Sequence, residues 1–254
     1  MCKVPLRLQV HTDVLSPWYR RASWKERIRY FVGLFLIPRA DCLRVVSERI
    51  RRSLVQICNI PRERISVLPI FTDCAPYLRI PLKPVLENGE RTRVSFVAIG
   101  RFFDKEKNYS MLIDVMRDLV RVLPNARLTL IGDGPDRERY ERMISDFGLN
   151  DCVILERWRT DLPAYLSNFD CLVLPSWYEG WGRVILEAMA AGLAIVMTDV
   201  GLAGEVVKDG ENGKIIPVGN RKELFDSLVA LSRDSVFRRR LQENARKTAA
   251  RIGM

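Results

Sequence analysis

The chain has 254 residues, with 41 Lys and Arg against 31 Asp and Glu, a net charge of +10. A composition of 48% hydrophobic and 28% charged residues is that of a globular protein. No apolar run reaches the roughly 18 residues of a membrane span, and no secretory signal is evident. The six cysteines show no C-x-x-C spacing and there is one histidine, so we expect reduced thiols in a cytoplasmic protein and no metal cluster.

The excess of positive charge lies in the amino-terminal third. Residues 1–80 contain 15 Lys and Arg against 6 Asp and Glu, whereas residues 81–254 contain 26 against 25. This asymmetry suggests an anionic partner: a membrane surface, a phosphorylated acceptor or a nucleic acid. Nucleic acid ranks last, because no segment resembles an RNA-binding or zinc-finger motif.

The first part of the chain predicts three strands, at 6–10, 41–46 and 65–68, and helices at 24–37 and 47–57. Ser23 and Glu26 fit a capping box for the first helix, and Ser47 is the expected cap of the second. The first helix is basic at its start and apolar at its end. Two interpretations stay open: a core-packed helix with a solvated basic end, or docking on a membrane surface.

Prolines 69, 76, 81 and 84, with Asn88-Gly89, indicate a linker at 76–92. From residue 93 to 254 strands alternate with helices, which predicts a parallel sheet covered on both faces. Strands are expected at 94–99, 127–131, 152–155, 171–174, 194–197 and 214–216. Helices are expected at 108–123, 136–147, 162–168, 182–191 and 221–231.

The stretch from Asp170 to Gly192 organises the chain: a short apolar strand, a glycine-containing loop, then a helix apolar on nearly every side. Glu187 interrupts that helix, and a carboxylate there is costly unless it accepts hydrogen bonds, which two adjacent sugar hydroxyls would donate. Glu179 lies just before the helix amino terminus, where an anionic ligand is favoured. Alternatively, Glu187 pairs with Arg183 and Glu179 is a solvated loop charge.

This arrangement of strand, Pro-Ser, Glu-Gly-x-Gly and Glu-Ala-Met-Ala-Ala-Gly resembles the signature of retaining glycosyltransferases of the GT-B architecture. The likeness is greatest to family 4, "glycosyl transferases group 1". In that family the first glutamate contacts the donor sugar and the second the nucleotide ribose, which implies these roles for Glu179 and Glu187. The resemblance also places the intervening backbone along the donor, at Gly180, Trp181, Gly182, Arg183 and Val184.

Two cations follow the first strand of the second domain. Gly100-Arg101 ends that strand and Lys107 begins the next helix, so the pair could clamp a diphosphate and neutralise a departing leaving group. A solvated charge run is the alternative. The Gly-Arg-x5-Lys spacing matches the diphosphate pair of the family, and a cation at a helix amino terminus needs an anion to be stable.

Other residues are assigned by the same resemblance. Gly134, in a tight turn after a strand, matches the G-x-G-P loop beside the nucleotide, and Arg157 and Trp158 match the position that contacts the base. Trp158 could equally pack at a rim. His11, after the first strand, resembles the histidine that faces the sugar, although a lone histidine is more often structural.

The resemblance implies an α/β, GT-B-like fold. It would have one complete Rossmann-like carboxyl-terminal domain with a parallel sheet (93–254) and an incomplete amino-terminal, acceptor-side Rossmann-like piece (1–75), truncated at its amino terminus. The implied activity is metal- and cofactor-independent transfer of a sugar from a nucleotide-diphosphate sugar to a glycan or lipid-linked acceptor, with retention. The basic third suggests a cytoplasmic enzyme at the inner face of the membrane. Two alternatives stay open: a non-catalytic or split nucleotide-sugar-binding fragment, and an epimerase or phosphorylase of similar architecture.

Overall fold

The computed structural model describes residues 6–21, 23–83 and 94–253. The chain divides into two compact units. The smaller comprises Met1–Phe71 together with Tyr178–Gly182, and the larger comprises Thr72–Trp177 together with Arg183–Met254. The segment Tyr178–Gly182, which holds the first signature glutamate, therefore leaves the larger unit and returns to it.

Within its described residues, the smaller unit contains a parallel sheet of three strands in the order β1-β2-β3. These are β1 (Arg7–Val10), β2 (Cys42–Val45) and β3 (Ile65–Val67), and they confirm the three predicted strands. The helices of this unit are α1 (Pro17–Arg21), α2 (Trp24–Leu36) and α3 (Glu48–Cys58). Ser47 caps α3 as predicted, because its Oγ accepts a hydrogen bond of 3.2 Å from the Ile50 amide.

The core-packed interpretation of α2 is wrong. Its large apolar side chains face solvent: Phe31 is 60% exposed and Phe35 58%. The helix instead packs through Gly33, where a Cβ would lie 3.0 Å from Val14 Cγ2 and 3.4 Å from Leu15 Cδ2. The predicted capping box is also wrong in one of its hydrogen bonds. Ser23 Oγ does not accept from a backbone amide of the helix but donates to the Glu26 carboxylate.

The described residues of the larger unit form a six-stranded sheet in the order β6-β5-β4-β7-β8-β9, with every pair parallel. All six strands were predicted to within about one residue at each end. They are β4 (Ser95–Ile99), β5 (Arg127–Ile131), β6 (Val153–Glu156), β7 (Cys171–Leu174), β8 (Ala194–Thr198) and β9 (Lys214–Ile216). The side chains of the four central strands are buried almost throughout, as expected of parallel strands covered on both faces, whereas the edge strands β6 and β9 are more exposed.

Helices connect these strands. The predicted ones are confirmed as α6 (Tyr109–Val122), α7 (Arg137–Asp146), α8 (Leu162–Leu166), α9 (Arg183–Ala190) and α10 (Arg221–Arg233). Within the described part of this unit, three further helices were not predicted: α4 (Ala75–Leu78), α5 (Asp104–Lys107) and α11 (Ser235–Ile252). The first two are four residues long, too short for a helical period to show in the sequence.

The carboxyl-terminal helix α11 holds part of the predicted linker in place. Arg246 Nη1 donates to the Ile80 carbonyl at 2.6 Å, and Arg239 Nη1 donates to the Lys83 carbonyl at 2.8 Å. The rest of that linker, 84–92, lies outside the described residues, and the predicted domain boundaries stay a prediction. Among the described residues, each helix is either too short or too polar to cross a bilayer.

Candidate functional site

The strand order of the larger unit reverses between β4 and β7, and open parallel sheets bind ligands at such a point. The loops that follow these two strands are bonded to each other. Asn108 Nδ2 donates to the Pro175 carbonyl at 3.2 Å, and the Trp177 amide donates to the Glu106 carbonyl at 2.8 Å. The two loops therefore form one structured edge at the carboxyl ends of the central strands.

Gly100, Arg101 and Lys107 lie in the loop after β4. A Cβ at position 100 would stand 3.1 Å from Lys107 Cε and 2.8 Å from Tyr109 Oη, so the lysine stem runs directly over the end of the strand. Arg101 is exposed, with its guanidinium 5.5 Å from the centroid of the Phe103 ring. One turn thus presents two cations, which is the charge that a diphosphate requires.

The predicted position of Lys107 at the start of a helix is wrong. Lys107 is the last residue of α5, and Asn108, at a left-handed φ of 55°, separates it from α6. Lys107 therefore ends α5 and also stands one residue before Asn108, the N-cap of α6. The predicted need for an anion at this amino terminus stays a prediction, and the structure adds the placement of the lysine over the strand end.

A hydrogen-bonded aspartate fixes α5 and hence Lys107. Asp104 Oδ1 accepts from the Ser110 amide at 2.8 Å and from Tyr140 Oη at 3.1 Å, while the Asp104 amide donates to Asp136 Oδ2 at 2.8 Å. Burial, followed by the charge of Asp104, raises the pKa of Tyr140, which keeps this phenol a donor. The loop that carries the cations is therefore rigidly supported.

The turn after β5 approaches the turn after β4 so closely that only glycine fits. A Cβ at Gly132 would lie 2.0 Å from the Gly100 carbonyl oxygen, and one at Gly134 would lie 2.4 Å from the Phe102 carbonyl oxygen. Packing alone thus accounts for both glycines. The nucleotide contact assigned to Gly134 stays a prediction.

Glu187 lies on α9 with its side chain 14% exposed. It accepts a hydrogen bond from the hydroxyl of Tyr77, which α4 provides, and Arg183 Nη2 is 3.7 Å from its Oε1. Burial raises the pKa of Glu187, while the charge of Arg183 and the Tyr77 hydrogen bond oppose that rise. Burial, followed by the charge of Glu187, raises the pKa of Tyr77 to about 12, so Tyr77 is the donor of this bond at neutral pH.

The alternative pairing of Glu187 with Arg183 is therefore present but loose. Arg183 is 62% exposed, and exposed pairs typically contribute no more than about 1 kcal/mol. Tyr77 was missed by the sequence reasoning, because α4 falls where proline content indicates a linker. Glu187 is thus half-buried, with the Tyr77 hydroxyl as a neutral hydrogen-bond donor and the Arg183 guanidinium 3.7 Å away.

Comparison with known proteins gives the same family that the motifs indicate. The model of the family "Glycosyl transferases group 1" matches residues 86–248, more than half of the chain. The chain belongs to the glycosyl transferases group 1 family. The predicted family is therefore confirmed.

Two curated relatives illustrate the range of the family. The chain is 27% identical over 247 residues to the lipopolysaccharide core biosynthesis glycosyltransferase LpsE of Rhizobium meliloti, covering 93% of this chain and 70% of LpsE. It is 25% identical over 239 residues to a Campylobacter jejuni enzyme, covering 92% of this chain and 62% of that enzyme. That enzyme is named N-acetylgalactosamine-N,N'-diacetylbacillosaminyl-diphospho-undecaprenol 4-alpha-N-acetylgalactosaminyltransferase.

A solved structure supports the fold. HepE of Anabaena, in complex with UDP and glucose, matches with a TM-score of 0.78 at 23% identity, over 98% of this chain and 67% of HepE. At this identity the likeness shows the fold alone, and it confirms the predicted α/β, GT-B-like class. The chain spans about two thirds of the length of these relatives.

The first signature glutamate of this family lies in the smaller unit. Glu179 is half-buried in the segment Tyr178–Gly182, which packs on the loop after β1: a Cβ at Gly180 would lie 2.6 Å from the His11 carbonyl oxygen. The Tyr178 ring stacks on Trp18 with centroids 5.6 Å apart. The structure thus brings together Glu179, Gly180 and His11, which the sequence assigned separately.

The remaining predicted residues differ in accessibility. Trp181 is buried, Gly182 has a left-handed φ of 82°, and Val184 is half-buried at the start of α9. The His11 ring is exposed, with Nε2 3.3 Å from Gln9 Oε1. Arg157 and Trp158 follow the edge strand β6 and are exposed; their contact with a base stays a prediction.

Proposed function

We propose that this chain transfers a sugar from a nucleoside-diphosphate sugar to an acceptor hydroxyl, with retention of configuration. The observation that carries the proposal is the structured edge of the larger unit. There the loop with Arg101 and Lys107 is bonded to the loop after β7, and α9 then presents a half-buried Glu187. Cations at a strand end and a carboxylate on a buried helix suit the diphosphate and the ribose of one nucleotide.

The chemistry follows from these charges. The bond between the anomeric carbon and the diphosphate oxygen breaks, and Arg101 and Lys107 neutralise the charge that develops on the departing phosphate. The acceptor oxygen bonds to the same face of the anomeric carbon, and its proton passes to the departing phosphate. This proposal needs neither a side-chain nucleophile nor a metal ion.

Glu187 is proposed to accept hydrogen bonds from the two ribose hydroxyls. Its carboxylate already has one donor, Tyr77, and the lone pairs that remain suit a vicinal diol. Glu179, the backbone amides of 180–183 and His11 are proposed, by the family resemblance, to contact the donor sugar. For these residues the support is the signature sequence and their packing within the smaller unit.

The acceptor is proposed to be a glycan or a lipid-linked glycan. LpsE is named for lipopolysaccharide core biosynthesis and the Campylobacter relative for a diphospho-undecaprenol acceptor, which supports this class. The basic amino-terminal third supports action at an anionic surface, which for a nucleotide-sugar enzyme is proposed to be the cytoplasmic face of a membrane.

Donor binding tests the proposal. Calorimetric titration with a panel of nucleoside diphosphates should identify one that binds the wild type, and Lys107→Ala and Glu187→Ala should each weaken it about 10- to 100-fold. Lys105→Ala, an exposed lysine on the same helix, is the matched control and should bind as the wild type does. Unchanged affinity in both site variants would refute the assignments. Binding without turnover on any glycan acceptor would favour the non-catalytic fragment.

A further inference from the structure

The smaller unit contains a cluster of three aromatic rings. The Trp18 and Tyr178 rings are stacked, with centroids 5.6 Å apart and an interplanar angle of 26°. Tyr19 is T-shaped to both: its centroid lies 4.9 Å from that of Trp18 and 5.3 Å from that of Tyr178. Offset-stacked and T-shaped pairs are the arrangements that aromatic side chains prefer. The three rings therefore hold one another in fixed orientations.

Burial differs between the members of this cluster. Tyr19 is only 7% exposed and belongs to the core of the unit, whereas Trp18 and Tyr178 are half-buried. Pro17, the residue before Trp18, is exposed. The Trp18–Tyr178 stack is thus a rigid apolar surface at the boundary between core and solvent. Aromatic surface of this kind, beside a few polar groups, is typical of small-molecule sites.

The stack is joined to the residues proposed to contact the donor sugar. Tyr178 directly precedes Glu179, and the next residue, Gly180, packs on the loop after β1. A Cβ at Gly180 would lie 2.6 Å from the His11 carbonyl oxygen. Trp18 belongs to α1, which follows that same loop. One loop and one short segment therefore hold the aromatic stack, the glutamate and the histidine together in the smaller unit.

The acceptor must lie next to the donor sugar. In the transfer proposed above, the acceptor oxygen bonds to the anomeric carbon, and the two reacting atoms must first come within about 3–3.5 Å of each other. The group that carries the acceptor hydroxyl therefore contacts surface beside Glu179 and His11. The Trp18–Tyr178 stack is such a surface, and its flat apolar character indicates what it suits.

We propose that the Trp18–Tyr178 stack is an acceptor subsite, which binds one face of the pyranose ring that carries the acceptor hydroxyl. Many pyranoses present a face of C–H groups, whose partial positive charge is attracted to the negative face of an aromatic ring. The hydroxyls at the ring edge stay available to nearby polar groups. The proposal rests on the proposed transferase function, and it adds the class of acceptor: a pyranose ring, and not a small acid or an open-chain polyol.

A packing role alone would make a different demand on Trp18. Packing needs apolar volume, much of which leucine supplies, whereas sugar stacking needs a flat ring face, which phenylalanine also has. Trp18→Leu and Trp18→Phe therefore distinguish the two roles. Trp24→Leu is the matched control, because Trp24 is 67% exposed in the same unit but lies outside the cluster.

Glycoside titration followed by saturation-transfer NMR tests the proposal. The probes are the methyl glycosides of glucose, galactose, mannose and N-acetylglucosamine, with sorbitol as a polyol that lacks a ring. At least one glycoside should bind the wild type, and sorbitol should not. Trp18→Leu should weaken the binding of that glycoside about fivefold or more, whereas Trp18→Phe should retain most of it. Trp24→Leu should bind as the wild type does.

Two results would overturn the proposal: a wild type that binds none of the glycosides, or equal binding by the wild type and Trp18→Leu. A loss in Trp18→Leu that Trp18→Phe shares, with a lowered Tm in both, would also overturn it, because packing would then explain the effect. Nucleoside diphosphate affinity, measured on the same samples, should be unchanged in Trp18→Leu. A wild type that binds the diphosphate but no glycoside would leave the donor assignments standing, whereas one that binds no diphosphate would overturn both proposals.

Discussion

Glu187 is a carboxylate whose ionisation the fold opposes. Burial raises its pKa above the ordinary 4.5, so the folded chain holds the proton more tightly than the unfolded chain. The cost of ionisation is absent below the unfolded pKa and complete above the folded one. At neutral pH the ionisation of this buried carboxylate therefore lowers the stability of the folded chain.

The substitution Glu187→Gln should accordingly stabilise the chain at neutral pH. The amide can still accept the Tyr77 hydrogen bond but carries no charge to desolvate, so we expect a Tm higher by a few degrees at about pH 7.5. Near pH 4 or below, where the wild-type carboxyl is also neutral, the difference should vanish. Thermal unfolding at the two pH values checks this. A lower Tm for the variant at pH 7.5 would mean that Arg183 holds the carboxylate in a net stabilising pair.

Tyr77 should act on the nucleotide through Glu187. Tyr77→Phe removes a hydrogen bond that lowers the pKa of Glu187, so that pKa should rise further. If Glu187 binds the ribose as a carboxylate, as we propose, nucleotide affinity should fall as pH drops through the Glu187 pKa, and in the variant that fall should begin at a higher pH. Titrations across about pH 5 to 8 test this prediction, with Tyr30→Phe in the smaller unit as control. A uniform loss of affinity at every pH would indicate that Tyr77 has only a packing role.

Asn108 provides one of the two hydrogen bonds described above that join the loops after β4 and β7. It ends α5 in a left-handed conformation and bonds the loop after β7 through its side chain. Asn59, which ends α3 at a φ of 52°, has the same backbone conformation and serves as a natural control. Glycine adopts this conformation without strain. Comparing the single substitutions Asn108→Gly and Asn59→Gly therefore isolates the contribution of the Asn108 side chain.

Asn108→Gly should therefore destabilise the chain by about 1–2 kcal/mol, the value of a buried hydrogen bond, and weaken diphosphate binding several-fold. Asn59→Gly should change stability by no more than a few tenths of a kcal/mol. Urea unfolding and diphosphate titration of both variants provide the comparison. Equal effects of the two substitutions would show that the Pro175 contact does not support the site.

The elements that the sequence predicted are those with a strong local signal. Each strand of the larger sheet is a short apolar run bounded by turn residues, and the longer helices show a clear period. The four-residue helices α4 and α5 show neither signal, so Tyr77 was missed and so was α5, the helix that ends at Lys107. Both errors arise from local backbone geometry that composition and periodicity do not encode.

Helix α2 illustrates a different limit. Periodicity identified an apolar stripe correctly, but it does not say whether the stripe faces the core or solvent. Gly33 decides that question, because a helix can approach its neighbours most closely on the side that lacks a side chain. A glycine opposite an apolar stripe is the sequence signal that could have indicated the outward orientation.

At the scale of the whole molecule, the two units differ in charge and in chemistry. The basic character belongs almost entirely to residues 1–80, whereas the larger unit is close to neutral and contains Arg101, Lys107 and Glu187. The charge asymmetry can be read directly from the sequence, while the donor-binding role assigned to the larger unit stays a prediction. The sequence could not predict how Glu187 is held, because its partner Tyr77 is 110 residues away in the chain.

The central claim is that a ribose diol is the partner of Glu187, and a double comparison tests it most directly. The tightest-binding nucleoside diphosphate and its 2',3'-dideoxy analogue are titrated against the wild type and against Glu187→Ala. We predict that loss of the two hydroxyls weakens wild-type binding about 10- to 100-fold and leaves the affinity of the variant unchanged. An equal loss in both proteins would contradict the claim, because the hydroxyls would then bind elsewhere.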